Sequence, residues 1–81
     1  MEDLEIVQHI DALVAEEHRL ERGHASEEGL SDDDRARLSA VEVQLDQLWD
    51  LLRQRRARRH AGLDPDAAAE RPATTVEHFE Q

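Results

Sequence analysis

Residues 38–52 read LSAVEVQLDQLWDLL, and their apolar spacing decides the fold. Leu38, Val41, Leu45, Leu48 and Leu52 recur at intervals of 3, 4, 3 and 4. Residues three and four apart share a face of an α-helix, so this spacing writes one continuous heptad seam. Trp49 and Leu51 flank the seam, and its next position is taken by Arg55 instead of an apolar residue. Upstream, Ser31 with Asp34 three residues on resembles a capping box, and Asp32, Asp33 and Asp34 suit the N-terminal end of the helix dipole. Downstream, Gly62 suits the left-handed residue that closes many helices, with Leu63 as its Schellman contact. A helix is expected over about residues 32–60, roughly 43 Å long at 1.5 Å per residue.

A seam needs a second helix. The stretch DLEIVQHIDALVAEEHRLER, about residues 3–22, supplies it. Ile6, Ile10, Leu13, position 17 and Leu20 repeat at 4, 3, 4 and 3, and Val7 and Val14 widen this stripe on one side. Glu2, Asp3 and Glu5 crowd the first turn, and Gly23 is expected to stop the helix. Residues 23–30, GHASEEGL, hold two glycines and no apolar period, which marks a short loop. A connection of this length favours an antiparallel pair.

The fold class expected is therefore all-α: a coiled-coil-like helical hairpin over residues 1–62. Residues 63–81 are expected to add a short third helix and an extended, flexible C-terminal tail. Asp64 before Pro65 reads as N-cap then N1, so that third helix should run over about 65–70 and end before Pro72. Within the tail, Val76 and Phe79 are candidate docking points.

Layering Leu20 on Leu38 sets Leu13 against Leu45, Ile10 against Leu48 and Ile6 against Leu52. The next layer sets Asp3 beside Arg55, with Glu5 level with Arg53 and Glu2 with Arg56. This register matters for residues 53–59, RQRRARR, which put five arginines into a chain of net charge -10. Residues 1–52 carry 15 acids and 4 arginines, and residues 60–81 carry 5 acids and 1 arginine. Nucleic-acid-binding domains are usually basic overall, and this one is the reverse. The preferred reading is that the acidic start of helix one answers the arginines, which sets the hairpin's orientation more than its stability, because exposed pairs contribute only about 0–1 kcal/mol each. Arg58 and Arg59 project past that start and are left unassigned. The alternative reading of Arg53, Arg55, Arg56, Arg58 and Arg59 is a basic patch for nucleic acid or a nucleic-acid machine, whose binding would fall steeply with salt.

Composition bounds the rest. With 81 residues the chain is one small domain, and with no cysteine it has no disulfide or thiolate metal site. The N-terminus MEDLEIVQ lacks a basic n-region and a long apolar run, so neither a secretory signal nor a membrane span is expected, and the cytoplasm is the expected compartment. All ten basic residues are arginine, which with abundant alanine points to a GC-rich genome.

Four segments in order, LVAEEHRL at 13–20, LDQLWDLLRQRRARR at 45–59, GLDPD at 62–66 and RPATTVEHF at 71–79, resemble a small actinobacterial family catalogued as domain of unknown function 2630. The resemblance spans nearly the whole chain and implies a short helical cytoplasmic protein. It implies no activity, so no catalytic residues are carried over.

The remaining polar clusters are weighed on their chemistry. Glu17 falls on the seam opposite Val41, and an unpaired buried carboxylate is costly, so it must reach water, pair with a cation or sit at a wet seam. Its role is read as polar specification of one register. A bundle metal site from Glu17, His18, Glu21 and His24 is the weaker candidate. Di-iron bundles use Glu-x-x-His, and here that spacing occurs only at Glu21–His24, which Gly23 interrupts. No nucleophile arrangement or phosphate-binding glycine loop is present, so neither an enzyme nor a cofactor is expected. Val7, Val14, Trp49 and Leu51 flank the seam and form the candidate oligomer interface. The function expected is a protein-interaction or assembly module, most simply a homodimeric four-helix bundle, with an unidentified protein as the other kind of partner.

Overall fold

The computed structural model describes residues 2–24, 29–72 and 74. Helix α1 spans Asp3–His24 and helix α2 spans Asp32–His60, followed by a 3₁₀ turn at Pro65–Ala67. The described residues contain no strand. The two helices pack as a hairpin, and the molecule is elongated, with principal extents of 52 × 25 × 16 Å. Its radius of gyration is 15.1 Å, against about 12 Å for a compact chain of this length.

Local chemistry accounts for the helix ends. The Glu2 backbone N–H donates to Glu5 Oε1 at 3.2 Å, which is the carboxylate half of a capping box. Ser31 Oγ accepts from the Asp34 N–H at 3.1 Å and caps α2. At the other end of α2 the Schellman motif is complete. Gly62 N–H donates to Arg59 O at 3.1 Å, and Leu63 N–H donates to Arg58 O at 2.7 Å. Gly62 has φ of 77°, in the left-handed region where a Cβ is strained.

Two expected boundaries are corrected. Gly23 does not stop α1, which runs through it to His24. A glycine in the last turn loses little, and among the described residues of this connection Gly29 is left-handed, with φ of 68°. The third helix is a single 3₁₀ turn, not a helix over 65–70. Ala67 and Ala68 N–H groups bond to the carbonyls of Asp64 and Pro65, but the carbonyls of Ala69 and Arg71 are turned sideways to side chains of α2. Arg71, which precedes Pro72, is also disfavoured in the α region. The N-cap is as expected: Asp64 Oδ1 accepts from the Asp66 N–H at 2.9 Å, with Pro65 at N1. The docking points Val76 and Phe79 lie outside the described residues.

The core is one cluster along the seam. Ile6, Ile10 and Leu13 from α1 meet Val41, Leu45, Leu48, Leu51 and Leu52 from α2, with Val14 and Ala68 packed at its margin. Leu20 and Leu38, at the loop end of the seam, are half-buried. Glu17 is also half-buried. Among the described residues no enclosed side-chain nitrogen or oxygen lacks a hydrogen-bond partner, so its carboxylate is not a buried orphan.

Candidate interaction surface

Helix α2 presents three different stripes, and each has its own fate. The first is the seam of Val41, Leu45, Leu48 and Leu52, which ends at Arg55. Arg55 is 4% exposed although it carries a full charge. Its Nε donates to Asp3 Oδ1 at 2.5 Å, and its Nη1 donates to Asp66 Oδ1 at 2.9 Å and to Pro65 O at 3.2 Å. One guanidinium thus ties the start of α1 and the 3₁₀ turn to α2. The fork of fixed donors explains why arginine fills this position.

The expected Asp3–Arg55 layer is present. Arg59 adds to it through Nη1 to Asp3 Oδ2 at 3.0 Å. These two guanidinium contacts, Arg59 first, hold the Asp3 carboxyl down at about 2, from an ordinary 3.8. Arg58 Nε donates to Asp64 O at 2.6 Å. The two arginines left unassigned by the sequence therefore have intramolecular partners. Arg53 Nη2 lies 3.7 Å from Asp50 Oδ1, and Glu5 is engaged by the Glu2 N–H. Arg56 is exposed. The basic run is in large part a set of internal fasteners.

The second stripe is Gln47, Asp50, Leu51, Gln54 and Arg58, spaced 3, 1, 3 and 4. After Gly62 the chain reverses, and residues 64–72 run back along this stripe as a strap. Side chains of α2 donate to its backbone in sequence: Arg58 to Asp64 O, Arg55 to Pro65 O, Gln54 to Ala69 O at 2.9 Å and Gln47 to Arg71 O at 3.3 Å. The strap buries Asp50, which is 1% exposed. Both carboxylate oxygens of Asp50 accept from the Arg71 guanidinium, Nε to Oδ2 at 2.8 Å, and Gln54 Nε2 donates to Oδ2 at 2.9 Å. These bonds, Arg71's above all, pull the Asp50 pKa below its ordinary value against the opposing effect of burial.

Asp50 and Arg71 were missed by the sequence reading. Asp50 sits opposite the seam, where a heptad faces water. Only the strap makes that position interior. A faint signal was available in the spacing of Gln47, Asp50, Leu51, Gln54 and Arg58, since that is itself a helical stripe. The strap also corrects one expectation: Leu51 is 6% exposed and belongs to the core of the single chain, so it is not open to a partner.

The third stripe is not covered by the strap of residues 64–72. In an antiparallel pair the two e positions share one flank and the two g positions share the other. Arg37 and Glu16 are both g residues and form a bidentate pair at 2.6 and 2.7 Å, which marks the g flank. This pairing lowers the pKa of Glu16 and raises that of Arg37. Leu51 is also on the g flank, under the strap. Val7, Val14 and Trp49 are e residues and lie on the opposite flank. Trp49 is 45% exposed, Val7 38% and nearby Leu4 66%, and Val14 is half-buried against the core. The three expected interface residues other than Leu51 thus share one open flank.

Of the metal candidates, the His24 side chain lies outside the described ones. His18 and Glu21 are exposed, Glu17 is half-buried, and His24 closes α1. Among the described residues no three His, Cys, Asp or Glu side chains stand together to hold an ion. No helix among the described residues is long and apolar enough to cross a membrane.

A strapped hairpin is the class of protein that this fold defines: among the described residues, a small all-helical domain whose residues 64–72 are bound back onto its second helix. The chain belongs to the family described as Protein of unknown function (DUF2630), which matches residues 2–81. Uncharacterized protein Rv0898c of Mycobacterium tuberculosis is 47% identical to it over 78 residues, covering 95% of this chain and 88% of the relative. Uncharacterized protein Mb0922c of Mycobacterium bovis matches to the same extent. No solved structure matches the chain.

Proposed function

We propose that this protein is a non-catalytic interaction module of the cytoplasm that self-associates through the flank bearing Val7, Val14 and Trp49. The observation that carries this reading is the half-exposed Trp49, beside Val7, on the flank that the strap leaves open. The same chain buries Leu51, the mirror residue on the other side of the seam, under its own tail. Large aromatics left at a surface are favoured anchors of protein interfaces, because they bury much area at little entropic cost. A hairpin whose second flank meets another hairpin completes a four-helix bundle.

Contact with nucleic acid through the arginine run is less well supported. Arg55, Arg58 and Arg59 already donate to Asp3, Asp64 and Asp66 within the chain. A polyanion would have to displace those acceptors.

Light scattering across a concentration series tests the reading. The expected mass is twice the 9.3 kDa of one chain. Trp49→Glu should leave the helical circular dichroism intact and weaken the dimer by roughly thirty-fold or more, the loss of about 2 kcal/mol typical of a buried anchor. A monomer up to millimolar concentration would sink self-association.

A further inference from the structure

The open flank continues onto the outer face of α2, and its residues form a pattern of their own. Glu42, Asp46, Trp49, Arg53 and Arg56 recur at intervals of 4, 3, 4 and 3, so they lie on one helical stripe. Asp46 is half-buried, and the other four residues of the stripe are exposed. Read along the helix, the stripe is acid, acid, tryptophan, base, base. Glu42 and Arg56 stand seven residues to either side of Trp49, about 10 Å each way along the axis. Asp46 and Arg53 stand three and four residues away. The charges are therefore antisymmetric about the one exposed tryptophan.

Such a stripe is complementary to itself under one operation. A two-fold axis through Trp49, perpendicular to α2, reverses the second copy. It sets Glu42 against the partner's Arg56 and Asp46 against the partner's Arg53, each twice over. A parallel arrangement would instead set acid on acid and base on base. Closed two-fold symmetry is also the commonest solution for small assemblies. Arg53 lies 3.7 Å from Asp50, and its side chain is 50% exposed.

We infer that the occupant of this flank is a second copy of the chain, docked antiparallel across Trp49 with its acidic end on the first copy's basic end. This rests on the self-association reading above and gives it a geometry. The charge pattern chooses orientation and excludes wrong registers, and the apolar centre of Trp49, Val7 and Val14 supplies the affinity. The arrangement also brings two chains of net charge -10 together with their opposite local charges facing.

The experiment uses the full-length chain. It has no cysteine, so Ser39→Cys introduces a unique site for a spin label on the exposed surface of α2. Antiparallel docking about Trp49 separates the two labels by about 30 Å, and parallel docking brings them within roughly 15 Å. In a second arm, Glu42→Arg with Asp46→Arg makes the stripe wholly basic. That pair touches no strap residue and should weaken dimerisation about ten-fold or more at low salt, with helicity unchanged. Adding Arg56→Glu to the same chain, which leaves the Arg53–Asp50 contact in place, restores opposite charges at the outer pair and should recover the dimer in part.

The three outcomes are distinct. A long label distance with loss and rescue supports the inference. A dimer with a short label distance, or one indifferent to the charge reversals, overturns the arrangement and leaves self-association standing. A wild-type monomer overturns both.

Discussion

Two charged residues among those described, Arg55 and Asp50, are enclosed, and each earns its place by the number of bonds it makes. Arg55 reaches three acceptors on two segments, the start of α1 and the 3₁₀ turn. Asp50 accepts from Arg71 and Gln54 at once. A buried charge is tolerated only when its partners replace water, and removing those partners leaves the desolvation cost uncompensated. Asp50→Asn keeps the shape of the side chain but turns an amide and a weaker acceptor toward the Arg71 guanidinium. It is expected to lower the unfolding free energy by about 2 kcal/mol and to raise hydrogen exchange in residues 64–72. Asp11→Asn, on the exposed surface of α1, is the control and should stay within about 0.5 kcal/mol. Equal urea midpoints for the two variants would mean that the Asp50–Arg71 contact does not hold the strap.

Among the elements, the helix ends decide where the chain turns, and the same substitution should act in opposite directions at two of them. Gly62 has φ of 77° and closes the Schellman motif that sends the strap back along α2. Gly62→Ala places a Cβ in the left-handed region and should destabilise by about 1 kcal/mol. Gly23 lies inside the last turn of α1, and a Cβ there would meet Leu30 at 3.5 Å, an ordinary contact. Gly23→Ala should therefore stabilise by about 0.5–1 kcal/mol by raising helix propensity. Urea denaturation of both variants checks the pair, and a shift of the same sign in each would show that α1 does not extend through Gly23.

For the whole molecule, acidity connects the two fastening points. Asp3 holds the open end of the hairpin through Arg59 and Arg55, and Asp50 holds the strap through Arg71. Both carboxyls have pKa values lowered by folding, Asp3 to about 2 from 3.8. A depressed carboxyl contributes stability that is fully present above its unfolded value and disappears as pH falls through its folded value. Thermal midpoints should accordingly hold from neutral pH to about pH 5 and fall between about pH 4 and pH 2. Asp3→Asn should flatten the part of that fall nearest pH 2. An acid limb with the same slope in the variant and the parent would remove Asp3 from the account.

The sequence by itself determined the hairpin. Its two heptad stripes, the Ser31 cap, the Gly62 stop and the Asp64–Pro65 start are local patterns with a period or a position, and local backbone geometry is enough to read them. It also determined the Asp3–Arg55 layer, because a seam of fixed period carries its register from one end to the other. Only the tertiary structure decided what the outer faces of α2 do. Asp50 and Leu51 are interior and Gln54 half-buried because residues 64–72 return over them, and Arg58 and Arg59 are fasteners because Asp64 and Asp3 come within reach. Those contacts join segments with no shared period, so the stripe of Gln47, Asp50, Leu51, Gln54 and Arg58 hints that something covers it but does not say what. The physical reason is the asymmetry between the two flanks. Both carry apolar residues at heptad-flanking positions, and only the path of the strap leaves Trp49 open and closes Leu51.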